Sequence, residues 1–148
     1  MTTQTRERDR GQTRPSVESV VRSYYSIVAD LASAEADLRA VLAEDVAVIE
    51  HPNLVAPAGA RRDLEATVAG FVAGKALLSE QTFDVHEVLV VGERAAVRAT
   101  WRGVVGMDAG PFGAGQELVA QVAALLTVRD GWVVEHETFD CYQPVAGG

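Results

Sequence analysis

Four side chains near the C-terminus recur at every second position of a segment with the composition of a β-strand. His136, Thr138, Asp140 and Tyr142 are each two residues apart, and residues at that spacing share one face of a strand. An aspartate in apolar surroundings takes a raised pKa and becomes a usable general acid or base near neutral pH. Asp140 is therefore the first candidate for proton transfer.

The partner of Asp140 depends on the hairpin that leads into this strand. Asp130-Gly131 is a two-residue turn signal, because both residues tolerate positive φ. A turn there pairs Arg129 with Trp132 and puts Gln121 opposite Asp140, at a Cβ separation of roughly 4.5–5.5 Å. Gln121 would then orient the carboxylate. The expected neighbours of this pair are the apolar Val119, Ala123 and Leu125. The alternative is a hydrated aspartate near a strand end.

Histidines offer further proton carriers. His51 stands directly before Pro52, where a predicted strand ends, and a neutral imidazole at a pocket mouth can serve as a general base. Alternatively, His51 only caps the strand. His86 either lines the pocket or has a structural role. No metal site is predicted, because the histidines lack the close ligand spacing that is typical of zinc sites.

Aromatic residues and the cysteine have simpler alternatives. Trp101 and Tyr24 would form walls for a flat apolar ligand, or else belong to the ordinary core. Cys141 is the only cysteine, so no intrachain disulfide is possible. It is expected to be a packed residue rather than a nucleophile, because the adjacent Asp140 carboxylate disfavours the thiolate.

Composition excludes some classes of partner. The formal net charge is −8 and Lys75 is the only lysine, whereas nucleic-acid binding needs clustered basic residues. No apolar run approaches the ~20 residues that cross a bilayer, and the first residues lack the apolar core of a secretory signal. We expect a cytosolic protein with one domain over residues 15–143, a disordered leader over 1–14 and a flexible tail over 144–148.

The order of the predicted elements indicates an α+β fold. Apolar periodicity predicts a helix over 17–31 that Ser16 caps, a short second helix that Ser33 caps and Asp45 ends, and a third helix over 62–74. Alternation predicts strands over 46–51, 82–91, 95–105, 118–128 and 132–142. Helices that precede a run of long antiparallel strands would lie on one face of a bent sheet, with an apolar pocket between the two layers.

Several segments resemble a known superfamily. Val-Val-Arg-Ser-Tyr at 20–24 and the run Val-Ile-Glu-His-Pro at 48–52 resemble the start of ketosteroid isomerases. Val-Arg-Ala-Thr-Trp-Arg-Gly at 97–103 and the closing segment 130–140 resemble SnoaL-like polyketide cyclases. The resemblance covers roughly residues 15–143. It implies the cone-shaped nuclear transport factor 2-like fold, with three helices packed on a strongly bent, mostly antiparallel sheet.

The resemblance also assigns roles residue by residue. Tyr24 stands where ketosteroid isomerases have an oxyanion hydrogen-bond donor, and His51 stands where they have the catalytic aspartate. Ala123 falls at their second oxyanion donor, so that donor is lost. Asp140 aligns with the acid/base aspartate of SnoaL-like cyclases.

These observations favour an enzyme that needs no cofactor and moves a proton next to a carbonyl in a hydrophobic small molecule, by isomerisation, cyclisation or a lyase step. Asp140, His51 and Tyr24 are its predicted catalytic residues. The predicted substrate contacts are Gln121, Trp101, His86, Thr138 and Ala123. Two alternatives stay open: a binding protein without turnover, and a dimerisation or assembly domain. We also expect a homodimer through the outer face of the sheet, which would carry the apolar residues Val122, Leu126 and Phe139.

Overall fold

The first helix carries the apolar stripe that the sequence predicts. The computed structural model describes residues 15–144, so the predicted leader and residues 145–148 of the predicted tail lie outside the described residues. Helix α1 (Val17–Ala29) is capped by Ser16, whose side chain accepts a hydrogen bond from the Ser19 amide over 3.0 Å. The helix ends two residues earlier than predicted, because Asp30 takes an extended conformation and its Oδ1 accepts from the Ala32 amide.

The second helix is shorter than its apolar pattern suggests. Helix α2 (Glu35–Arg39) begins after Ala34, so the predicted cap at Ser33 is wrong. The Asp37 carboxylate instead accepts a hydrogen bond from the Ala34 amide over 2.8 Å. Leu42, predicted to be helical, already belongs to strand β1 (Leu42–Glu50), where it is buried all the same.

A short strand precedes the third helix. Strand β2 (Ala60–Arg62) pairs antiparallel with β1 and was not predicted, because three residues are too few to show an alternating pattern. Helix α3 (Leu64–Leu77) follows, and the carboxylate of its cap Asp63 accepts from the Ala66 amide over 2.9 Å. Val72 of this helix is exposed.

Four long strands complete the chain: β3 (Leu78–Val91), β4 (Arg94–Val105), β5 (Glu117–Arg129) and β6 (Trp132–Tyr142). The predicted two-residue turn is present, with positive φ at Asp130 and Gly131, and Gly92 between β3 and β4 also has positive φ. The six strands form one sheet in the order β2-β1-β6-β5-β4-β3. β1 and β6 are parallel, and all other neighbours are antiparallel.

The helices and the sheet bury a common core between them. α1 packs against β3, β4, β5 and β6, while α3 packs against β1, β2 and β3. The largest fully buried side chains include Val21 from α1, Leu38 from α2, Val68 from α3 and Leu126 from β5. The α+β class is therefore confirmed. Among residues 15–144, no helix is both long and apolar enough to cross a bilayer.

Candidate active site

A cavity of ≈ 370 Å³ lies between the inner face of the sheet and helices α1 and α3. Its walls are mostly apolar, with Trp101 and Phe83 from the long strands, Leu77 at the end of α3 and Phe112 from the β4–β5 connection. The polar residues of its lining are Glu50, Gln81, Asp140 and Tyr142. An apolar cavity with a few converging polar groups is the usual form of a small-molecule site.

Asp140 is a titratable group that lines this cavity and whose surroundings alter its pKa. Burial raises the pKa of its carboxyl, and the nearby Glu50 carboxylate raises the pKa further. A hydrogen bond opposes this shift, because Thr138 Oγ1 donates to Asp140 Oδ1 over 2.6 Å. A carboxyl with a raised pKa can both take up and release a proton close to neutral pH.

Glu50 is the second carboxylate of the cavity, and both of its oxygens are engaged. Arg62 Nη1 donates to Oε1 over 2.9 Å, and Asn53 Nδ2 donates to Oε2 over 2.8 Å. The loop that carries Asn53 packs closely on this strand end. A Cβ atom on Gly59, which has φ +68, would approach the Glu50 carbonyl oxygen to 2.7 Å. Glu50 is therefore fixed beside Thr138, its partner residue on β6.

Tyr142 supplies a hydroxyl to the same cavity. Burial raises the pKa of its phenol, and the carboxylates of Asp140 and Glu50 raise it further, so the hydroxyl stays protonated. It makes no hydrogen bond to residues 15–144. The ring meets the Trp101 indole edge to face, with 5.9 Å between centroids. Tyr142 therefore offers a hydrogen-bond donor next to a carboxyl group.

The Trp101 indole is held by a chain of hydrogen bonds that reaches helix α1. Its Nε1 donates to Gln81 Oε1 over 2.8 Å, and Gln81 Nε2 donates to the Val28 carbonyl over 3.0 Å. The last carbonyls of a helix lack partners within the helix, so Gln81 also caps α1. The indole lies over Gly103, where a Cβ atom would approach the ring to 2.5 Å.

Next to the cavity, Tyr24, Tyr25 and His136 form a buried cluster. The Tyr24 hydroxyl and His136 Nδ1 are 2.8 Å apart, and the Tyr25 hydroxyl lies 3.5 Å from Nε2. Burial lowers the pKa of His136 to about 4, so its imidazole is neutral at pH 7. A neutral ring can accept from Tyr24 at one nitrogen and donate to Tyr25 at the other.

Comparison with known proteins identifies the family to which the chain belongs. A family model described as a SnoaL-like domain matches residues 21–136, which is most of the chain. The chain belongs to the SnoaL-like domain family. A comparison with functionally curated proteins finds no matching sequence.

Solved structures share the architecture of this SnoaL-like domain. One is IdmH of Streptomyces antibioticus, described as a candidate polyketide cyclase (22% identity, TM-score 0.69, covering 85% of this chain and 92% of that one). A second, from Catenulispora acidiphila, is described as having a ketosteroid isomerase-like fold and binds trimethylamine (16%, TM-score 0.66, 86% and 86%). A third is an LEH-like epoxide hydrolase of M. tuberculosis (13%, TM-score 0.64, 86% and 82%). The nuclear transport factor 2-like fold is thereby confirmed.

Within the SnoaL-like domain, the predicted pairing of Gln121 with Asp140 is wrong. A register shift between Thr127 and Val128 makes Val122 the partner of Asp140 and Cys141 the partner of Gln121. Because one residue of shift exchanges the two faces of a strand, Gln121 lies on the exposed outer face. It accepts a hydrogen bond from Thr100 Oγ1 over 2.9 Å.

The same effect moves other predicted substrate contacts away from the cavity. His86 stands at an irregularity between Val85 and Glu87 of β3, is exposed, and bonds to Thr100 Oγ1 over 2.7 Å. Ala123 pairs with Phe139 and is exposed. Trp101 lines the cavity, and Thr138 contacts Asp140.

His51 does not reach the position expected for a base in the pocket. Its ring stacks on Phe139, with 4.3 Å between centroids, and its Nε2 lies 2.7 Å from Glu137 Oε2. Phe139 and Glu137 alternate with Thr138 and Asp140 along β6, so His51 lies on the outer side of this strand. It is not part of the cavity lining.

Three further predictions about burial are corrected. Val122 and Leu126, expected on the outer face, are buried on the inner one, and Val122 lines the cavity. Cys141, expected to be packed, is exposed. Phe139 does lie outward, with 40% of its surface exposed.

Two residues of the site were missed, although the sequence carried a signal for each. Glu50 continues the alternation of Val46 and Val48, so it falls on the buried face of its strand, where a carboxylate is unusual. Tyr142 lies two residues after Asp140 on the same strand, so its side chain falls on the same face. Arg62 carried no such signal, because its contact with Glu50 depends on the short strand β2.

Proposed function

We propose that this protein is an acid/base enzyme that needs no cofactor and acts on a hydrophobic small molecule with a ketone or enol oxygen. The observation that carries the proposal is the juxtaposition of Asp140 and Tyr142 in one apolar cavity, where burial raises the pKa of both groups. Similar structures include a candidate polyketide cyclase and an epoxide hydrolase, which supports acid/base chemistry in this fold.

The proposed step is a proton transfer next to a carbonyl. The Asp140 carboxylate takes a proton from the carbon beside the ketone, and the electron pair of that C–H bond moves towards the carbonyl oxygen. The Tyr142 hydroxyl donates a hydrogen bond to this oxygen as negative charge develops there. Protonated Asp140 then returns the proton to another carbon of the enolate. Alternatively, the enolate carbon attacks a second carbonyl carbon of the same molecule and closes a ring, the electron pair of that C=O bond moves to its oxygen, and protonated Asp140 gives its proton to this oxygen.

Tyr142 takes over the donor role that the resemblance gave to Tyr24. The Tyr24 hydroxyl is engaged by His136 at 2.8 Å, whereas the Tyr142 hydroxyl makes no hydrogen bond with residues 15–144. Glu50 is held by Arg62 and Asn53, so we assign it an electrostatic role: its charge favours the protonated form of Asp140.

A direct test is hydrogen–deuterium exchange of 2-tetralone, whose protons beside the carbonyl are followed by ¹H NMR in D₂O. We expect the wild type to accelerate the exchange over buffer, Asp140→Asn to lose at least about 100-fold of this acceleration, and Tyr142→Phe to lose a smaller part. Gln121→Leu, on the outer face, is the matched control and should exchange at the wild-type rate. Exchange no faster than in buffer would contradict the catalytic proposal.

A binding protein without turnover is the second candidate, favoured by the engagement of Tyr24 with His136. It predicts that a phenol such as 2-naphthol raises the melting temperature while no exchange of 2-tetralone is observed. Asp140→Asn would then leave the affinity for 2-naphthol largely unchanged.

We also propose a homodimer through the outer sheet face. The exposed side chains Leu125 (37%) and Phe139 (40%) support this proposal, since both lie on the sheet side away from the helices. Light scattering after size-exclusion chromatography tests it, and Leu125→Glu should shift the mass from that of two chains to that of one. A wild-type mass of one chain would contradict it.

A further inference from the structure

A second, smaller cavity adjoins the proposed active site, and we propose that it binds an oxygen at the far end of the ligand. This inference rests on the proposed ligand site. The small cavity has a volume of ≈ 240 Å³ and is lined by residues of all three helices or their flanking strands, among them Tyr24, Leu38, Arg62, Thr67 and Phe71. Val28, Glu50 and Gly70 line both cavities, so the two spaces meet at these residues.

Thr67 provides the first sign of a polar ligand in the small cavity. Its Oγ1 is buried and has no hydrogen-bond partner in the part of the chain that the structure describes. Buried side-chain polar atoms are nearly always hydrogen-bonded, and an exception calls for a missing water or ligand atom. The Thr67 hydroxyl can donate to a carbonyl oxygen or accept from a hydroxyl.

Arg62 determines which oxygen fits. Its Nη1 donates to Glu50 Oε1 over 2.9 Å, and a guanidinium carries further N–H donors in a fixed plane. The charge of Arg62 is already balanced by Glu50, so a second carboxylate would bring an excess negative charge next to Glu50. The small cavity therefore suits a neutral carbonyl or hydroxyl oxygen.

Helix α3 contains two glycines, of which Gly70 lies where the two cavities meet. A Cβ atom at Gly74 would meet no atom within 4 Å, and one at Gly70 would meet only Arg62 Nε at 3.8 Å. Glycine inside a helix is less favourable than alanine, and no clash prevents alanine at either position. Gly70 lines both cavities and Gly74 only the large one. The absence of a side chain at Gly70 thus leaves room for a ligand that extends from one cavity into the other.

The ligand class that follows is a flat, mainly apolar molecule with an oxygen at each end. One oxygen lies at Asp140 and Tyr142, and the apolar body fills the large cavity. The opposite oxygen lies at Thr67 and Arg62.

17β-Estradiol and 17-deoxyestradiol test this inference, because they share the phenol and differ only in the hydroxyl at the opposite end. Isothermal titration calorimetry measures both affinities for the wild type, Thr67→Val, Gly70→Ala, Gly70→Val and Gly74→Ala. We expect the wild type to bind estradiol about three- to tenfold more tightly, the effect of one hydrogen bond. Thr67→Val and the Gly70 variants should remove this preference.

Gly74→Ala is the matched control, because it makes the same change in the same helix but faces only the large cavity. It should preserve the ratio of the two affinities and raise the melting temperature as Gly70→Ala does. Equal affinities in the wild type, or a ratio that Thr67→Val leaves unchanged, would overturn the second cavity alone. If neither steroid binds, both this inference and the ligand site on which it rests fail. Binding without exchange of 2-tetralone would contradict only the catalytic proposal.

Discussion

Thr138 and Asp140 lie two residues apart on the same face of β6, and Thr138 Oγ1 donates a hydrogen bond to Asp140 Oδ1 over 2.6 Å. The bond stabilises the charged carboxylate, while burial and the Glu50 carboxylate favour the neutral carboxyl. Burial is the largest of these influences, so the pKa of Asp140 is raised overall. Thr138 thereby limits how far that pKa rises, and this role can be measured.

Replacing Thr138 by valine keeps the shape of the side chain and removes the hydroxyl. We expect the pKa of Asp140 to rise further in Thr138→Val, because the charged form loses a hydrogen bond. Titration of the ¹³C-labelled Asp140 carboxyl by NMR measures the pKa directly. Thr100→Val, on the outer face, should leave the Asp140 titration unchanged. A lower pKa in Thr138→Val would contradict the assignment.

Asp140→Asn should make the protein more stable at neutral pH while it abolishes proton transfer. The folded state raises the pKa of Asp140, so it binds the proton more tightly than the unfolded chain does. The contribution of Asp140 to the free energy of unfolding is therefore greatest below the unfolded pKa of 3.8 and falls as the pH rises through the folded pKa. Urea denaturation across this range should show that the asparagine variant lacks this decline. Parallel curves would rule out a raised pKa.

His136 gives the opposite dependence on pH. Its pKa is lowered from 6.5 to about 4 by burial, so the unfolded chain takes up the proton first as the pH falls. The contribution of the neutral His136 to the free energy of unfolding is fully present above pH 6.5 and is lost as the pH falls towards 4. The loss amounts to at most about 1.4 kcal/mol per pH unit and about 3 kcal/mol in total. His136→Gln should remove this part of the pH dependence in urea denaturation. A His136→Gln curve that runs parallel to the wild-type curve over this range would disprove a buried neutral histidine.

Gln81→Leu should destabilise the protein by about 1–3 kcal/mol, because it leaves the Trp101 indole N–H and the end of α1 without their partner. It should also weaken ligand binding, since the indole wall of the cavity loses its fixed orientation. Urea denaturation measures the first effect and calorimetry with 2-naphthol the second. The control Gln121→Leu changes the same residue type at an exposed site and should cost no more than about 0.5 kcal/mol. Equal costs for the two variants would show that the Gln81 contacts add no stability.

The family and the α+β class could be predicted because they depend on local patterns repeated over many residues. The strand β6 was predicted with its observed bounds, since Asp130-Gly131 fixes the preceding turn. Alternation along their strands also assigned Asp140 and Trp101 to the inner face of the sheet. The cap at Ser33 was wrong because helix α2 begins one residue later, where the Asp37 carboxylate accepts from the Ala34 amide.

Tertiary structure alone decided which residues surround Asp140. A single irregularity between Thr127 and Val128 exchanged Gln121 for Val122, because a strand has a period of two and one extra residue turns every later side chain to the other face. The contact of Arg62 with Glu50 and the unpaired hydroxyl of Thr67 depend on how β2 and α3 pack against the sheet. The sequence by itself determined the elements and the presence of a carboxyl group on the inner face. Its neighbours followed from register and packing, which no local pattern encodes.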